Sequence, residues 1–131
     1  MKIGMLAKKV AIDIQTIRYY ESQGLLNKPS RLDNGYRDYD ESVVKSLHFI
    51  KKAKLVGFTL KEIKELLAIH VTKDQHTCEE VKQYTQIKLD EITNKIEELL
   101  NIKSALEKIH SSCCGGNETA AHCSILSALE G

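Results

Sequence analysis

The chain has 131 residues, of which 42% are apolar and 28% charged, with a formal net charge of +1. That is the composition of a folded globular protein, with room for one domain or for a small domain plus an oligomerisation element. No run approaches about 18 apolar residues and no apolar signal core opens the sequence, so a cytoplasmic protein without a membrane partner is expected.

The near-neutral total hides an asymmetry. Residues 1–64 carry 13 Lys and Arg against 7 Asp and Glu, whereas residues 65–131 carry 6 against 11. A basic front half suits a polyanion.

In chain order, Ile3 to Val10 reads as a short helix with Ile3, Leu6, Ala7 and Val10 inward. Asp13 is an N-cap for a second helix, Ile14 to Ser22, with Ile12 and Ile17 as its hydrophobic staple and Gly24 beyond its end. Two short helices and a tight turn form a helix-turn-helix candidate. Its second helix carries Gln15, Thr16, Arg18 and Tyr19, residue types that reach phosphates and base edges in a major groove, while Tyr20 also reads as core. Pro29 punctuates the chain next, and Asn34-Gly35 is a strong hairpin signal. A small wing is expected, with Arg31, Tyr36 and Arg37 available to a nucleic-acid backbone. Asp40 caps a third helix with Tyr39 and Val44 as its staple, and Gly57 ends it. Thr59 and Glu62 form a capping box for a fourth helix running to about Ile69.

A long helix follows from Thr77, itself paired with Glu80 as a capping box, to about Ile109. Leu89, Ile92, Ile96, Leu99, Ile102, Leu106 and Ile109 step by threes and fours into a narrow stripe. A lone helix has nothing to pack on such a stripe, and a second copy is the simplest partner. The successive steps of three at Ile96, Leu99 and Ile102 depart from a strict heptad, so a short pairing of limited supercoil is expected.

All four cysteines fall near the ends of this helix. Cys113, Cys114 and Cys123, with His122 and Glu118, suit zinc or a related soft divalent ion. The spacing is not that of a standard zinc finger, and adjacent cysteines do not easily turn both sulfurs onto one ion. Cys78 stands 35 positions before Cys113, and the intervening helix is about 45 Å long at 1.5 Å per residue. Within one chain the two cannot share an ion, but in an antiparallel pair Cys78 of one subunit lies beside its partner's loop. His76 is a candidate outer ligand. Ser124 reads as the cap of a last short helix, Ile125 to Glu130. No nucleophile elbow or paired-carboxylate motif accompanies the serines and histidines, so an enzyme is not expected.

Ile3-Gly4 with Leu6-Ala7, the string Thr16-Ile17-Arg18-Tyr19-Tyr20-Glu21, Gly24-Leu25-Leu26, Tyr36-Arg37-Asp38-Tyr39 and Gly57-Phe58-Thr59-Leu60 resemble the MerR family of transcription regulators along the whole chain. His76-Thr77-Cys78, Cys113-Cys114-Gly115 and Cys123-Ser124-Ile125-Leu126 are similar to its zinc-responsive branch. The resemblance implies a homodimer on a palindromic operator between over-spaced promoter elements. Metal binding then distorts the DNA so that RNA polymerase engages both elements. It assigns Arg18, Tyr19, Tyr36 and Arg37 to double-stranded DNA and Cys78, Cys113, Cys114 and Cys123 to metal. The sequence departs from the pattern at Ala11, where the family usually has glycine in the turn. It departs again at Glu118, where the zinc branch has histidine and this chain's histidine is His122.

The expected architecture is mainly α. A winged helix-turn-helix domain (1–69) leads through a connection (70–76) to a long antiparallel coiled-coil dimerisation helix (77–110), then to a metal-binding loop with a short terminal helix (111–131). The function expected is a zinc-responsive activator. The alternatives are the same regulator responding to cadmium or lead, a thiol redox sensor, and a metal buffer with no DNA role.

Overall fold

The computed structural model describes residues 1–27, 29–31, 35 and 37–131. Contacts divide the chain into two units, Met1–Tyr84 and Thr85–Gly131. No helix is long and apolar enough to cross a membrane among the described residues.

In the first unit, α1 (Ile3–Val10) and α2 (Ile14–Ser22) form the helix-turn-helix. A two-stranded antiparallel ribbon follows, β1 (Ser30–Arg31) against β2 (Arg37–Asp38), in the register Ser30 to Asp38 and Arg31 to Arg37. This is the expected wing; Asn34 and Tyr36 lie outside the described residues. Then come α3 (Glu41–Leu55) and α4 (Leu60–Val71). Helix α1 packs on α2 and α3, and α3 packs on α4.

The caps follow local chemistry. The Asp40 carboxylate accepts from the amides of Ser42 and Val43 at the start of α3. Thr59 and Glu62 form a reciprocal capping box on α4. Asp13 occupies the N-cap position of α2, but its side chain makes no capping bond.

Three helix ends repeat one motif. After α2, Gly24 is left-handed and the Leu25 amide reaches back to the Tyr20 carbonyl; after α3, Gly57 is left-handed and the Phe58 amide reaches the Ala53 carbonyl. After α1 the same step is made by Ala11, at φ 55°, with the Ile12 amide on the Ala7 carbonyl. This is the Schellman arrangement, whose left-handed residue is usually glycine. Each motif returns an apolar residue, Leu25, Phe58 or Ile12, to the core. The Lys51 ammonium of α3 closes the first motif by donating to the Val10 and Ala11 carbonyls, at 3.3 and 3.4 Å.

The core gathers Leu6, Val10, Ile17, Tyr20, Leu47, Ile50 and Ile63 with Leu25, Leu26, Tyr39 and Val44. Leu6, Ile17, Leu47, Ile50 and Ile63 are fully buried, and each such side chain contributes about 1.5–3 kcal/mol relative to exposure. Tyr20 is core, and α2 therefore turns Gln15, Arg18 and Tyr19 outward.

A 3-10 turn (Lys73–Gln75) links α4 to α5 (Cys78–Ser111). Past Thr85 the stripe of α5 is open from Leu89 to Leu106, from 38% exposed at Ile92 to 64% at Leu99, and Ile109 is half-buried. Beyond α5 come a second 3-10 turn (Ala120–His122) and α6 (Ser124–Glu130). The expectation of Ser124 as the cap of α6 is corrected by one residue. Cys123 holds the extended N-cap conformation (φ −72°, ψ 122°) and Ser124 is already helical.

Candidate nucleic-acid interface and metal centre

Helix α2 and the wing meet on one basic surface. Lys2, Lys8, Arg18, Arg31 and Arg37 line a cavity of about 1040 Å³ between α1, α2 and the ribbon. Concentrated positive charge in a concave surface attracts a polyanion and focuses its field. The structure thus brings Arg18, Arg31 and Arg37 together. Gln15 and Tyr19 are exposed on α2 and Thr16 is half-exposed. Tyr36 lies outside the described residues. Lys2 and Lys8 were not singled out from sequence; the signal available was basic residues flanking the inward positions of α1.

Arg37 is not a free cation. It donates to the Glu21 carboxylate at the end of α2, and the Tyr39 hydroxyl donates to the other oxygen of that carboxylate. The Glu21 side chain is only 8% exposed. Hydrogen bonding with Tyr39, followed by the charge of Glu21, raises the Arg37 pKa further. Burial, then the bond to Glu21, raises that of Tyr39. Glu21 also relieves the like-charge pairing of Arg31 opposite Arg37 in the ribbon register. Arg31 is fixed separately by a 3.1 Å bond to the Gly35 carbonyl.

At the start of α5, the Thr77 hydroxyl accepts from the Glu80 amide, which is one half of the expected capping box. The Glu80 carboxylate bonds His76 Nδ1 at 2.7 Å, and His76 Nε2 lies 3.0 Å from the Thr72 hydroxyl. The His76 bond lowers the Glu80 pKa. Both ring nitrogens of His76 are thus engaged within the chain. Cys78, the first residue of α5, is exposed.

The loop after α5 sorts its donors into two pairs. Cys113 and Cys123 place their sulfurs 4.0 Å apart, and Cys114 turns to Glu118, with sulfur and Oε2 3.7 Å apart. Gly116 makes room for that carboxylate, since a Cβ there would collide with Glu118. The Gly115 amide faces the Cys113 sulfur at 3.5 Å. Cys113, Cys114, Glu118, His122, Cys123 and Ser124 line one pocket of about 330 Å³. The amides of Leu126 and Ile125 lower the Cys123 pKa, with a smaller contribution from Cys113. Among the described residues, no three His, Cys, Asp or Glu side chains converge into a finished metal cage within one chain. The donor set itself, soft sulfurs with one carboxylate, fits a borderline divalent cation.

Comparison with known proteins places these features in one lineage. The model of the MerR HTH family regulatory proteins matches residues 1–69, and the MerR DNA-binding model matches residues 44–109. The chain is 40% identical over 129 residues to the HTH-type transcriptional regulator ZntR of Escherichia coli K12, covering 98% of this chain and 92% of that protein. It is 39% identical to the mercuric resistance operon regulatory protein of Bacillus cereus, covering 98% and 96%. The crystal structure of PbrR691 from Ralstonia metallidurans CH34 in complex with lead(II) superposes with a TM-score of 0.89 at 34% identity, covering 98% of each chain. The chain belongs to the MerR family of transcription regulators, in the company of its metal-responsive members, and is not an enzyme.

Proposed function

We propose that the protein is a zinc-responsive transcription activator that binds a palindromic operator as a homodimer and switches on a metal-efflux or resistance promoter. The observation that carries this reading is the pairing of Cys113 with Cys123 and of Cys114 with Glu118 in one pocket. Two donor pairs without a finished cage call for further ligands, and Cys78 of a second subunit supplies the missing thiolate. The uncovered stripe of α5 supports the second copy, packed antiparallel as a coiled coil.

In this reading residues 1–69 bind double-stranded DNA, 77–110 pair the subunits, and 111–131 hold Zn(2+) through Cys113, Cys114, Cys123, Cys78 of the partner subunit, and Glu118 or His122. Arg18, Gln15, Thr16 and Tyr19 face the major groove, and Arg31, Tyr36 and Arg37 the backbone. Metal binding reorganises the dimer, the dimer distorts the over-spaced promoter, and RNA polymerase engages both elements. The same regulator tuned to cadmium or lead is the second reading, favoured by the resemblance to a lead-bound structure.

A metal titration read simultaneously by operator binding and transcription in vitro tests this. Output rising at lower free zinc than free cadmium or lead supports the first reading, and the reverse order supports the second. Output that ignores all three metals and follows oxidant alone overturns both.

A further inference from the structure

Cys113 and Cys123 are ten residues apart in sequence, both half-buried, with sulfurs 4.0 Å apart. A disulfide requires about 2.05 Å between sulfurs. Closing the remaining gap takes rotation of the two side chains together with adjustment of a loop that contains Gly115 and Gly116. The neighbouring thiol does not compete, because Cys114 is turned to Glu118. Cys78 is exposed at the start of α5.

We propose that Cys113 and Cys123 are a modification site, a dithiol that a small-molecule disulfide oxidises to an intramolecular disulfide, taking both sulfurs away from metal. The Cys123 sulfur, as thiolate, attacks one sulfur of glutathione disulfide; that S–S bond breaks and one glutathione leaves. The Cys113 sulfur then attacks the Cys123 sulfur of the mixed disulfide and displaces the second glutathione. The two thiol protons of the protein end on the two glutathione thiols. The protein loses two electrons and the glutathione disulfide gains them. A sulfur committed to this bond cannot act as a thiolate ligand, and a sulfur held by metal is a poor nucleophile. The redox and metal states of the loop therefore exclude one another. Only this exclusion rests on the metal reading.

The test uses the full-length protein, reduced and metal-free, exposed to oxidised glutathione and mapped by mass spectrometry without reductant. A dominant crosslink between Cys113 and Cys123 is expected. It persists in Cys114→Ser and is replaced by glutathione adducts in Cys123→Ser. A dominant Cys113–Cys114 bond, a bond between subunits through Cys78, or adducts alone in the native chain overturns the proposal. In a second arm, zinc is added before the oxidant and bound zinc is counted. Where zinc is bound, the crosslink forms more slowly by at least about tenfold; an unchanged rate with zinc bound overturns the exclusion. No zinc bound, with the crosslink still mapped, sinks the metal reading and leaves the redox site standing.

Discussion

Glu21 and Arg37 tie the recognition helix to the wing. The carboxylate comes from the last turn of α2 and the guanidinium from β2, with the Tyr39 hydroxyl on the same carboxylate. Removing Glu21 strands two donors in a half-buried place, and removing Arg37 leaves a largely buried carboxylate short of its cation. Glu21→Gln and Arg37→Ala are each expected to cost about 1–2 kcal/mol of folding stability. The double variant should cost clearly less than their sum, because the two side chains share one interaction. Urea denaturation of the three variants measures this, and additive losses would show that the pair is not coupled.

Ala11 adopts the left-handed conformation that Gly24 and Gly57 adopt in the equivalent motifs. A side chain there costs about 1–2 kcal/mol, whereas glycine adds about 0.5–1 kcal/mol of unfolded-state entropy. The first exceeds the second, so Ala11→Gly should stabilise the protein by about 0.5–1 kcal/mol. Ala11→Val should destabilise it, since a branched Cβ fits the left-handed region worse. A denaturation midpoint that falls for Ala11→Gly would mean that Lys51 and its two carbonyl contacts already absorb the strain.

The Asp40 cap gives the acid limb of stability a traceable component. The Ser42 hydroxyl first, then the Val43 and Ser42 amides, hold the Asp40 carboxyl below its ordinary value of 3.8. A depressed folded-state pKa contributes stability above the unfolded value, and that contribution disappears as pH falls through the folded value. Asp40→Asn keeps an acceptor at the cap and has no proton to take up. Its melting temperature should therefore fall less steeply than the native protein's below about pH 4. Parallel curves would mean that the carboxylate charge contributes nothing at this cap.

The fold was legible wherever its signals were local. Helices α1 and α2 begin and end where apolar spacing and Gly24 place them, and the Thr59–Glu62 box forms as read. What was not legible depends on residues distant in sequence. Nothing around Arg37 announces that its partner is Glu21, sixteen positions earlier, so the bracing of the wing by α2 could not be read from the sequence. The partners of His76, Thr72 and Glu80, stand only four positions away on either side, but they meet it only once the chain turns into α5. The start of α6 slipped by one because serine is a good cap, whereas here Cys123 takes the extended conformation. In the loop the right elements were legible, but not their sorting into Cys113 with Cys123 and Cys114 with Glu118.

Arg18 lies exposed on α2 and lines the basic cavity, remote in sequence from the cysteine loop. Arg18→Ala should weaken operator binding while leaving zinc affinity unchanged. If the contact is to phosphate, the slope of log affinity against log salt should shrink by about one and the loss should be similar on all sequences. If it is to a base, the loss should be about 1–3 kcal/mol and confined to sites carrying that base. Equal losses of DNA and zinc affinity would contradict the separation of the two sites.

Cys78 opens α5 and Cys113 follows its end, so a site using both must take them from different subunits if the antiparallel dimer is correct. Cys78→Ser should lower zinc affinity by at least about tenfold, or ~1.4 kcal/mol, with operator binding of the metal-free protein retained. A mixed dimer sharpens the test. One subunit carries Cys78→Ser and the other Cys114→Ser, so a site shared between subunits leaves one loop with every native ligand and the other with two ligands missing. A site built within one chain leaves both loops defective. Zinc binding at native affinity in half of the sites identifies the shared arrangement, and its complete loss in the mixed dimer rules that arrangement out.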